Sequence, residues 1–363
     1  MALKAYSVAK LFSGTDWLTE QVVITENGRI VDTVPIASVS IESERLDGIL
    51  APAFIDLQIY GAYGKLLAVY PEADSLVKLN EYCRSGGAAY CLPTVATNTY
   101  EIFRQSIDAV RAYLEQGGQG VLGIHLEGPW INPVKRGAHI ESLIHSPSLE
   151  QAKEILEYGK GIIKMITLAP ECCNRTLIDL VLSYGIVISA GHSNASYNEA
   201  IESFGNGITT ITHLYNAMSP LHHRAPGLVG ATMNHDKVMA SIIPDGHHVD
   251  FAAISVAKKA MGDRLFVITD AVTETDRGGY QHYLVDDKYV AGGILSGSAL
   301  TMGKSVQNLV NYVGIETGEA IRMCSLYPAE AIGLQRELGR IEKGYQSKMV
   351  LLNERNDVIR LID

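Results

Sequence analysis

The chain has 363 residues, of which 47% are hydrophobic, and a formal net charge of −10. This length suits one large α/β domain with a small accessory domain. Because the net charge is negative and the sequence contains no run of Lys or Arg, nucleic acid and anionic membrane surfaces are not expected as partners. No secretory signal or membrane span of roughly 20 apolar residues is recognisable, and the five cysteines lack the pattern of a disulfide framework. We therefore expect a cytoplasmic protein.

Short β patterns stand at both ends of the chain. Residues 22–25 and 29–34 are rich in apolar side chains and flank Asn27-Gly28, which is a strong hairpin signal. Near the C-terminus, the apolar run 349–352 has the same character. Neither group is long enough for a domain of its own, so we expect them to meet in one small sheet.

Between these ends, strand and helix patterns alternate. The strand candidates are centred on Ile55, Tyr90, Ile124, Ile166, Ile188, Ile211, Ile242 and Val267. The helix candidates include residues 73–85, 100–116, 149–158, 174–184, 194–204 and 251–261. A doubly wound open sheet would also show strands and helices that alternate along the chain. Eight strands, with polar residues at many strand ends rather than at one switch point, favour a (β/α)8 barrel.

Three of the strand candidates end in residues that can bind a metal ion. Glu127 closes one of them, and His192 and His213 close two others. A single such His is more often a hydrogen-bonded core residue, but three ligands at equivalent strand ends favour a metal site. Three protein ligands leave a position for water, whose pKa an ion lowers from 15.7 towards roughly 7. Hydrolysis is therefore the first hypothesis.

The first strand candidate, 54–58, lacks the His-x-His pair with which many metal-dependent barrel hydrolases bind an ion. It ends in Gln58, whose amide is a poor metal ligand but a fair hydrogen-bond partner. We expect Gln58 to support the ligands rather than join them, and we expect one ion rather than two.

Further polar residues follow the remaining strands. Asp270 closes an apolar run and is a candidate proton acceptor beside a cation, although a turn or N-cap aspartate would look the same. His139 and His248 are candidate donors to a substrate oxygen, or else ordinary loop histidines. Arg224 offers a fork of donors to phosphate or carboxylate, and the Gly/Ser-rich turn at Ser296 offers backbone N–H groups.

Together these motifs resemble the N-acetylglucosamine-6-phosphate deacetylase family of the amidohydrolase superfamily. The segments that carry the resemblance are 52–56, 125–129, 135–139, 190–193, 212–218, 224–227, 245–249, 269–271 and 295–298. They occur in the family's order and span most of the chain. The segment 60–65 departs from the more Gly-rich run expected after the first strand.

The resemblance implies a role for each matching residue. It implies that Glu127, His192 and His213 are metal ligands, that Asp270 is the catalytic acid/base and that His139 acts near the scissile carbonyl. The implied contacts to the sugar phosphate are Ala138, His139, Asn216, Ala217, Arg224, His248, Leu295, Ser296 and Gly297. One divalent ion per subunit is implied, usually Zn²⁺, although this donor set would also accept Fe²⁺, Mn²⁺ or Co²⁺. A homodimer is implied too, in which Arg224 can act in trans on the neighbouring subunit.

The implied fold is a (β/α)8 barrel over residues 51–334, with a small β-sandwich domain from residues 1–50 and 335–363. The implied reaction converts N-acetyl-D-glucosamine 6-phosphate to glucosamine 6-phosphate and acetate. Two alternatives stay open at this point. One is another amidohydrolase that acts on a different N-acyl amino sugar or a cyclic amide. The other is a non-catalytic sugar-phosphate-binding protein.

Overall fold

A computed structural model describes residues 3–363. Its strands are β1 (Lys4–Phe12), β2 (Trp17–Glu26), β3 (Arg29–Pro35), β4 (Glu44–Pro52), β5 (Phe54–Ile59), β6 (Gly61–Ala62), β7 (Lys65–Leu66), β8 (Ala88–Ala96), β9 (Ile124–Glu127), β10 (Ile163–Leu168), β11 (Val187–Ala190), β12 (Thr210–Ile211), β13 (Met239–Ile242), β14 (Leu265–Val267), β15 (Tyr283–Val285), β16 (Lys288–Ala291), β17 (Ile294–Ser298), β18 (Met349–Leu352) and β19 (Val358–Ile362).

The helices alternate with the middle strands. They are α1 (Ala73–Ser85), α2 (Tyr100–Glu115), α3 (Leu149–Tyr158), α4 (Arg175–Ser183), α5 (Tyr197–Gly205), α6 (Gly227–Asn234), α7 (Phe251–Met261), α8 (Met302–Asn308), α9 (Thr317–Cys324) and α10 (Leu326–Ala331). None of the helices within residues 3–363 combines the length and the apolar character that crossing a membrane requires.

Eight parallel strands form a nearly closed barrel in the order β5-β8-β9-β10-β11-β12-β13-β14. The last strand returns to the first, because Ile59 pairs with Ala271 and the Asp270 N–H donates to the Gln58 carbonyl at 3.0 Å. The strands read as apolar runs because both faces of a parallel barrel strand are covered. All eight predicted strand centres lie within these strands, and the predicted barrel is confirmed.

Helix α2 illustrates how the crossovers form. The Thr99 side chain caps it by accepting a hydrogen bond from the Ile102 N–H at 3.3 Å, which satisfies one of the free donors at a helix start. Its buried side chains include Phe103, Ile107 and Val110, at helical spacing. This apolar face lies towards strand β9, and the polar face is left to solvent.

A separate six-stranded sheet has the order β19-β18-β4-β1-β2-β3 and is built from both ends of the chain, as predicted. Strands β2 and β3 join at Asn27-Gly28, where both residues have positive φ values of 51° and 76°, as a tight hairpin turn requires. Its core includes Leu11, Val23 and Leu50 from the N-terminal strands and Met349 and Leu351 from β18.

The described residues cluster into two compact units. One consists of the chain up to Asp56 with Glu81–Tyr90 and Thr301–Asp363, and the other consists of Leu57–Asn80 and Cys91–Leu300. The predicted domain boundaries, 50/51 and 334/335, stay a prediction, because units defined by compactness cut through strands β5 and β8. Every residue of the candidate site described below lies in the second unit.

Candidate active site

Four residues with predicted chemistry lie at or just beyond the carboxyl ends of barrel strands. Glu127 is the last residue of β9, His192 and His213 each lie two residues beyond β11 and β12, and Asp270 lies three residues beyond β14. Because the strands are parallel, these ends meet at one rim of the barrel. His192, His213 and Asp270 have left-handed backbones with φ of 48°, 34° and 55°. Non-glycine residues in that conformation cost on the order of 1–3 kcal/mol each.

Three donor atoms of these side chains converge. Glu127 Oε1 is 3.2 Å from His192 Nε2 and 3.1 Å from His213 Nε2, and the two Nε2 atoms are 3.1 Å apart. Two ligands at about 2.0–2.1 Å from a tetrahedral zinc ion lie about 3.3 Å apart. All three side chains are buried. The spacing of the donors therefore fits one divalent ion with little rearrangement.

The hydrogen positions around His192 support the same fit. Its Nδ1 is 3.0 Å from the Lys135 carbonyl oxygen, which only accepts, so Nδ1 carries the hydrogen and Nε2 presents a lone pair. Backbone carbonyls commonly orient metal-binding histidines in this way. Two lone pairs that face each other, on Glu127 Oε1 and His192 Nε2, repel unless a proton or a cation lies between them. His213 Nδ1 is buried and has no hydrogen-bond partner within residues 3–363.

The charge states also suit a cation. Burial would raise the pKa of Glu127, but the proximity of His192 and hydrogen bonds from His139 and His213 outweigh it and hold that pKa well below its usual range. Burial, aided by the neighbouring His139, lowers the pKa of His192 to about 4. At neutral pH Glu127 is thus a carboxylate and His192 is neutral. Burial would lower the pKa of His213, but hydrogen bonding to Glu127 outweighs it and raises that pKa.

His139 lies on the other side of Glu127. Its Nε2 is 3.2 Å from Glu127 Oε2, and its Nδ1 is 2.6 Å from the Thr97 hydroxyl oxygen. Because a carboxylate only accepts, Nε2 carries the hydrogen and the Thr97 hydroxyl donates to Nδ1. Donor atoms of Glu127, His139 and His192 also lie within 4.8 Å of one another. His139 is therefore placed either to contact substrate or to approach the ion, and its predicted role stays a prediction.

Asp270 is held beside the donor cluster by Gln58 and Tyr60. Gln58 Nε2 donates to Asp270 Oδ1 at 2.8 Å and lies 3.0 Å from Glu127 Oε1. The Tyr60 hydroxyl donates to Glu127 Oε2 and lies 3.4 Å from Asp270 Oδ1. Burial raises the pKa of Asp270; the charge of His213 opposes that rise and the charge of Glu127 adds to it. A raised pKa makes an ionised carboxylate a stronger base.

One cavity collects most of the predicted site residues. Its walls include Glu127, Ala138, His139, His192, His213, Asn216, Ala217, His248, Asp270, Leu295, Ser296 and Gly297. His248 is fixed by Asp245, because its Nδ1 donates to Asp245 Oδ2 at 2.6 Å. Burial would raise the pKa of Asp245, but this hydrogen bond lowers it, so the carboxylate is charged at neutral pH. The His248 ring is thereby oriented at the cavity wall.

A small antiparallel sheet of β15, β16 and β17, called the hairpin sheet here, supplies another part of the wall. Leu295, Ser296 and Gly297 belong to β17 and line the cavity. Gly297 has φ of 86°, and a Cβ atom there would lie 2.5 Å from Val272 Cγ1 and 2.9 Å from the Asp270 carbonyl oxygen. Only glycine fits this close approach.

Several cavity residues were missed by the sequence analysis. Tyr280 donates to the Thr97 carbonyl oxygen at 2.6 Å, and His282 Nδ1 is 3.1 Å from Ser296 Oγ. Burial lowers the pKa of His282 to about 4, so it is a neutral hydrogen-bonding group at pH 7. Neither residue comes at the end of an apolar strand pattern, which is the signal that identified the other site residues. The only sequence signal is their spacing of two residues, which places both side chains on one face of an extended segment.

Arg224 does not line this cavity. It is exposed, and it borders a separate cavity together with residues such as Ser196, Tyr197 and His222. Within this chain, Arg224 is therefore not among the residues that surround the donor cluster. The predicted contact in trans to a sugar phosphate in a neighbouring subunit stays a prediction.

Residues 49–362 match the sequence model of the amidohydrolase family. The chain belongs to this family. It is 33% identical, over 96% of its length and 95% of the relative's, to an N-acetylglucosamine-6-phosphate deacetylase of Haemophilus influenzae. It is 30% identical, over 95% of its length and 93% of the relative's, to an N-acetylgalactosamine-6-phosphate deacetylase of Escherichia coli O157:H7.

A solved amidohydrolase structure has the same fold. The crystal structure of N-acetylglucosamine-6-phosphate deacetylase from Pasteurella multocida superposes with a TM-score of 0.95 at 34% identity, covering 99% of this chain and 98% of that one. The resemblance inferred from sequence motifs is thereby confirmed, and so is the predicted barrel with a separate small sheet. Amidohydrolases depend on metal ions, and within residues 3–363 the Glu127, His139 and His192 group could hold one.

Proposed function

We propose that this protein is a metal-dependent deacetylase that converts N-acetyl-D-glucosamine 6-phosphate to glucosamine 6-phosphate and acetate. The observation that carries the proposal is the convergence of Glu127, His192 and His213 donors within 3.2 Å of one another, beside the buried carboxylate of Asp270. Relatives at 30–34% identity, aligned over 84–96% of this chain, support the substrate class.

Glu127, His192 and His213 would hold the ion. When bound, a divalent ion supplies Lewis acidity that makes water nucleophilic at neutral pH and stabilises negative charge on a carbonyl oxygen. Zn²⁺ is our proposal for it, because two imidazoles and one carboxylate suit zinc, although Fe²⁺, Mn²⁺ and Co²⁺ accept the same donors.

Asp270 would move the proton of the reaction. It accepts a proton from the attacking water and then returns it to the leaving amine nitrogen. Gln58 holds Oδ1 of Asp270 at 2.8 Å, which fixes the direction in which the carboxylate presents its free lone pairs. Asp270 thus serves first as a base and then as an acid, as amide hydrolysis requires.

His139 and the other cavity walls would bind and orient the substrate. The Nε2–H of His139 donates to Glu127 Oε2 in the substrate-free site and can turn to the oxygen of the scissile acetamide when substrate is bound. We assign the sugar-phosphate contacts to Ala138, Asn216, Ala217, His248 and the turn Leu295, Ser296 and Gly297. Binding the phosphate far from the amide holds the amide in line for attack.

We also propose a homodimer in which Arg224 reaches the phosphate of the neighbouring subunit's substrate. Its exposure supports this arrangement, because a solvent-facing guanidinium is available to a second subunit. None of the five cysteines forms a disulfide within residues 3–363, which supports a reducing, cytoplasmic location.

Acetate release tests the proposal directly. Purified protein loaded with Zn²⁺ should release one acetate per N-acetyl-D-glucosamine 6-phosphate and much less from unphosphorylated N-acetyl-D-glucosamine. Treatment with a chelator should abolish release, and added Zn²⁺ should restore it. Binding of the sugar phosphate without acetate release under any metal condition would contradict an enzymatic function.

The 4-epimer is a second candidate substrate, because one relative is an N-acetylgalactosamine-6-phosphate deacetylase. The ratio of kcat/KM for the two epimers decides between them. We expect the glucosamine derivative to be preferred, and a ratio in favour of the galactosamine derivative would reassign the substrate while leaving the chemistry unchanged.

A further inference from the structure

Tyr60 is the residue of the donor cluster to which neither the sequence analysis nor the proposed mechanism gives a role. It directly follows strand β5 and lies two residues after Gln58, which places the two side chains on the same side of the chain, in hydrogen-bond contact at 2.7 Å. It lines the cavity, and its hydroxyl donates to Glu127 Oε2. What this hydroxyl does follows from the hydrogen bonds around the two Glu127 oxygens.

The two carboxylate oxygens of Glu127 have different partners. Oε2 accepts from the Tyr60 hydroxyl and from His139 Nε2 at 3.2 Å. A carboxylate oxygen offers two lone-pair sites, so both sites on Oε2 are filled. Oε1 is the oxygen that His192 and His213 approach. Glu127 can therefore present only Oε1 to an ion.

The amide of Gln58 could compete for Oε1. Its Nε2 lies 2.7 Å from the Tyr60 hydroxyl oxygen, 2.8 Å from Asp270 Oδ1 and 3.0 Å from Glu127 Oε1. An amide nitrogen carries two hydrogens for these three acceptors, so the two shorter contacts take the larger share of them. Because the Tyr60 hydroxyl gives its own hydrogen to Oε2, its oxygen is free to accept from Gln58. The hydrogen bond from Gln58 to Oε1 is thus the longest and weakest of the three.

We propose that Tyr60 is a positioning residue that makes Glu127 a single-oxygen metal ligand. It fills Oε2 and draws the Gln58 hydrogen away from Oε1. This inference rests on the metal site of the proposed function. Without the hydroxyl, the freed Gln58 hydrogen would donate to Oε1 and oppose the ion, while Oε2 would regain a lone pair and could bind the ion as a second oxygen.

Metal binding by Tyr60→Phe tests the proposal in the full-length protein. Competition with a chelator at neutral pH should show that the apparent Kd for Zn²⁺ rises about 10–100-fold, as when other outer-shell partners of metal ligands are removed. The absorption of Co²⁺-loaded protein should weaken as the coordination number rises. Tyr113→Phe is the matched control, because it removes a tyrosine hydroxyl that bonds to the Gln119 carbonyl oxygen at 2.8 Å, and it should change neither measurement.

Replacing Tyr60 by 4-aminophenylalanine distinguishes a hydrogen bond from packing. This residue keeps a donor to Oε2 but accepts poorly from Gln58, so it should restore part of the Zn²⁺ affinity and the Co²⁺ spectrum, and it carries the test if Tyr60→Phe does not fold. Unchanged Zn²⁺ affinity in Tyr60→Phe, or a loss that 4-aminophenylalanine does not restore, would overturn the role of the hydroxyl. If the wild-type protein itself binds no ion, the proposed function fails instead.

Discussion

The barrel strand ends and the hairpin sheet line the same cavity, but they are held in different ways. At the strand ends, Glu127 is buried and bonded to side chains that come from four other segments of the chain. In the hairpin sheet, Tyr283, Leu284 and Val285 of strand β15 are 50%, 44% and 44% exposed. The comparison indicates that the chemistry sits on rigid elements, whereas part of the binding wall has fewer packed neighbours.

Asp270→Asn tests the chemical side of this comparison and should have the largest effect. Turnover should fall about 10²–10⁴-fold, because the proposed general acid/base is lost, while the bound metal per subunit stays the same. Acetate release and elemental analysis measure the two quantities. Asp179→Asn on the outer helix α4, where Asp179 pairs with Arg175, is the control and should leave turnover unchanged. Near-normal turnover in Asp270→Asn would remove Asp270 from the mechanism.

The pH dependence of stability tests the hairpin sheet. Burial lowers the pKa of His282 to about 4, whereas an unfolded histidine titrates near 6.5. As the pH falls, the unfolded chain therefore binds this proton first. The contribution of neutral His282 to the free energy of unfolding is fully present above about pH 6.5. It declines as the pH falls to about 4, by up to about 3 kcal/mol.

Urea unfolding at pH 7 and pH 5 measures this effect. His282→Gln should lose less stability between the two pH values than the wild type, by about 2 kcal/mol, and His223→Gln at an exposed position is the control. If wild type and His282→Gln show the same pH dependence, His282 is solvated and the hairpin sheet is open in solution.

The smallest effect is expected at the tip of the hairpin sheet. Asp287 Oδ1 contacts His247 Nε2 at 2.7 Å, and the Asp287 side chain is 76% exposed. An exposed ion pair contributes about 0–1 kcal/mol, so Asp287→Asn should lower the free energy of unfolding by less than about 1 kcal/mol, and by less still in high salt. A loss above about 2 kcal/mol would show that this contact, and not the packing, holds the sheet.

The same contrast explains what could be predicted from the sequence. Glu127, His192 and His213 end apolar runs, and parallel strands bring their ends to one rim whatever the loops do. Periodicity and turn signals predicted the eight strand positions and the terminal sheet, because these patterns are local in the sequence.

The missed residues depend on contacts between distant segments. His282 becomes part of the cavity only because the hairpin sheet returns Ser296 to it, and Tyr280 because it bonds to the Thr97 carbonyl. Tyr60 could have been found, since a strand places positions 58 and 60 on one face. The sequence could not predict which of the two Glu127 oxygens Tyr60 would bond to, because that depends on the positions of three other side chains.

The left-handed backbones of His192, His213 and Asp270 have a consequence for engineering. Glycine would relieve each of these conformations but would delete the imidazole or carboxylate on which the proposed reaction depends. A selection for thermal stability alone would therefore favour glycine substitutions at these three positions, and those substitutions would abolish the proposed activity. Thermostable variants of this scaffold are best sought far from the rim, with these three positions held fixed.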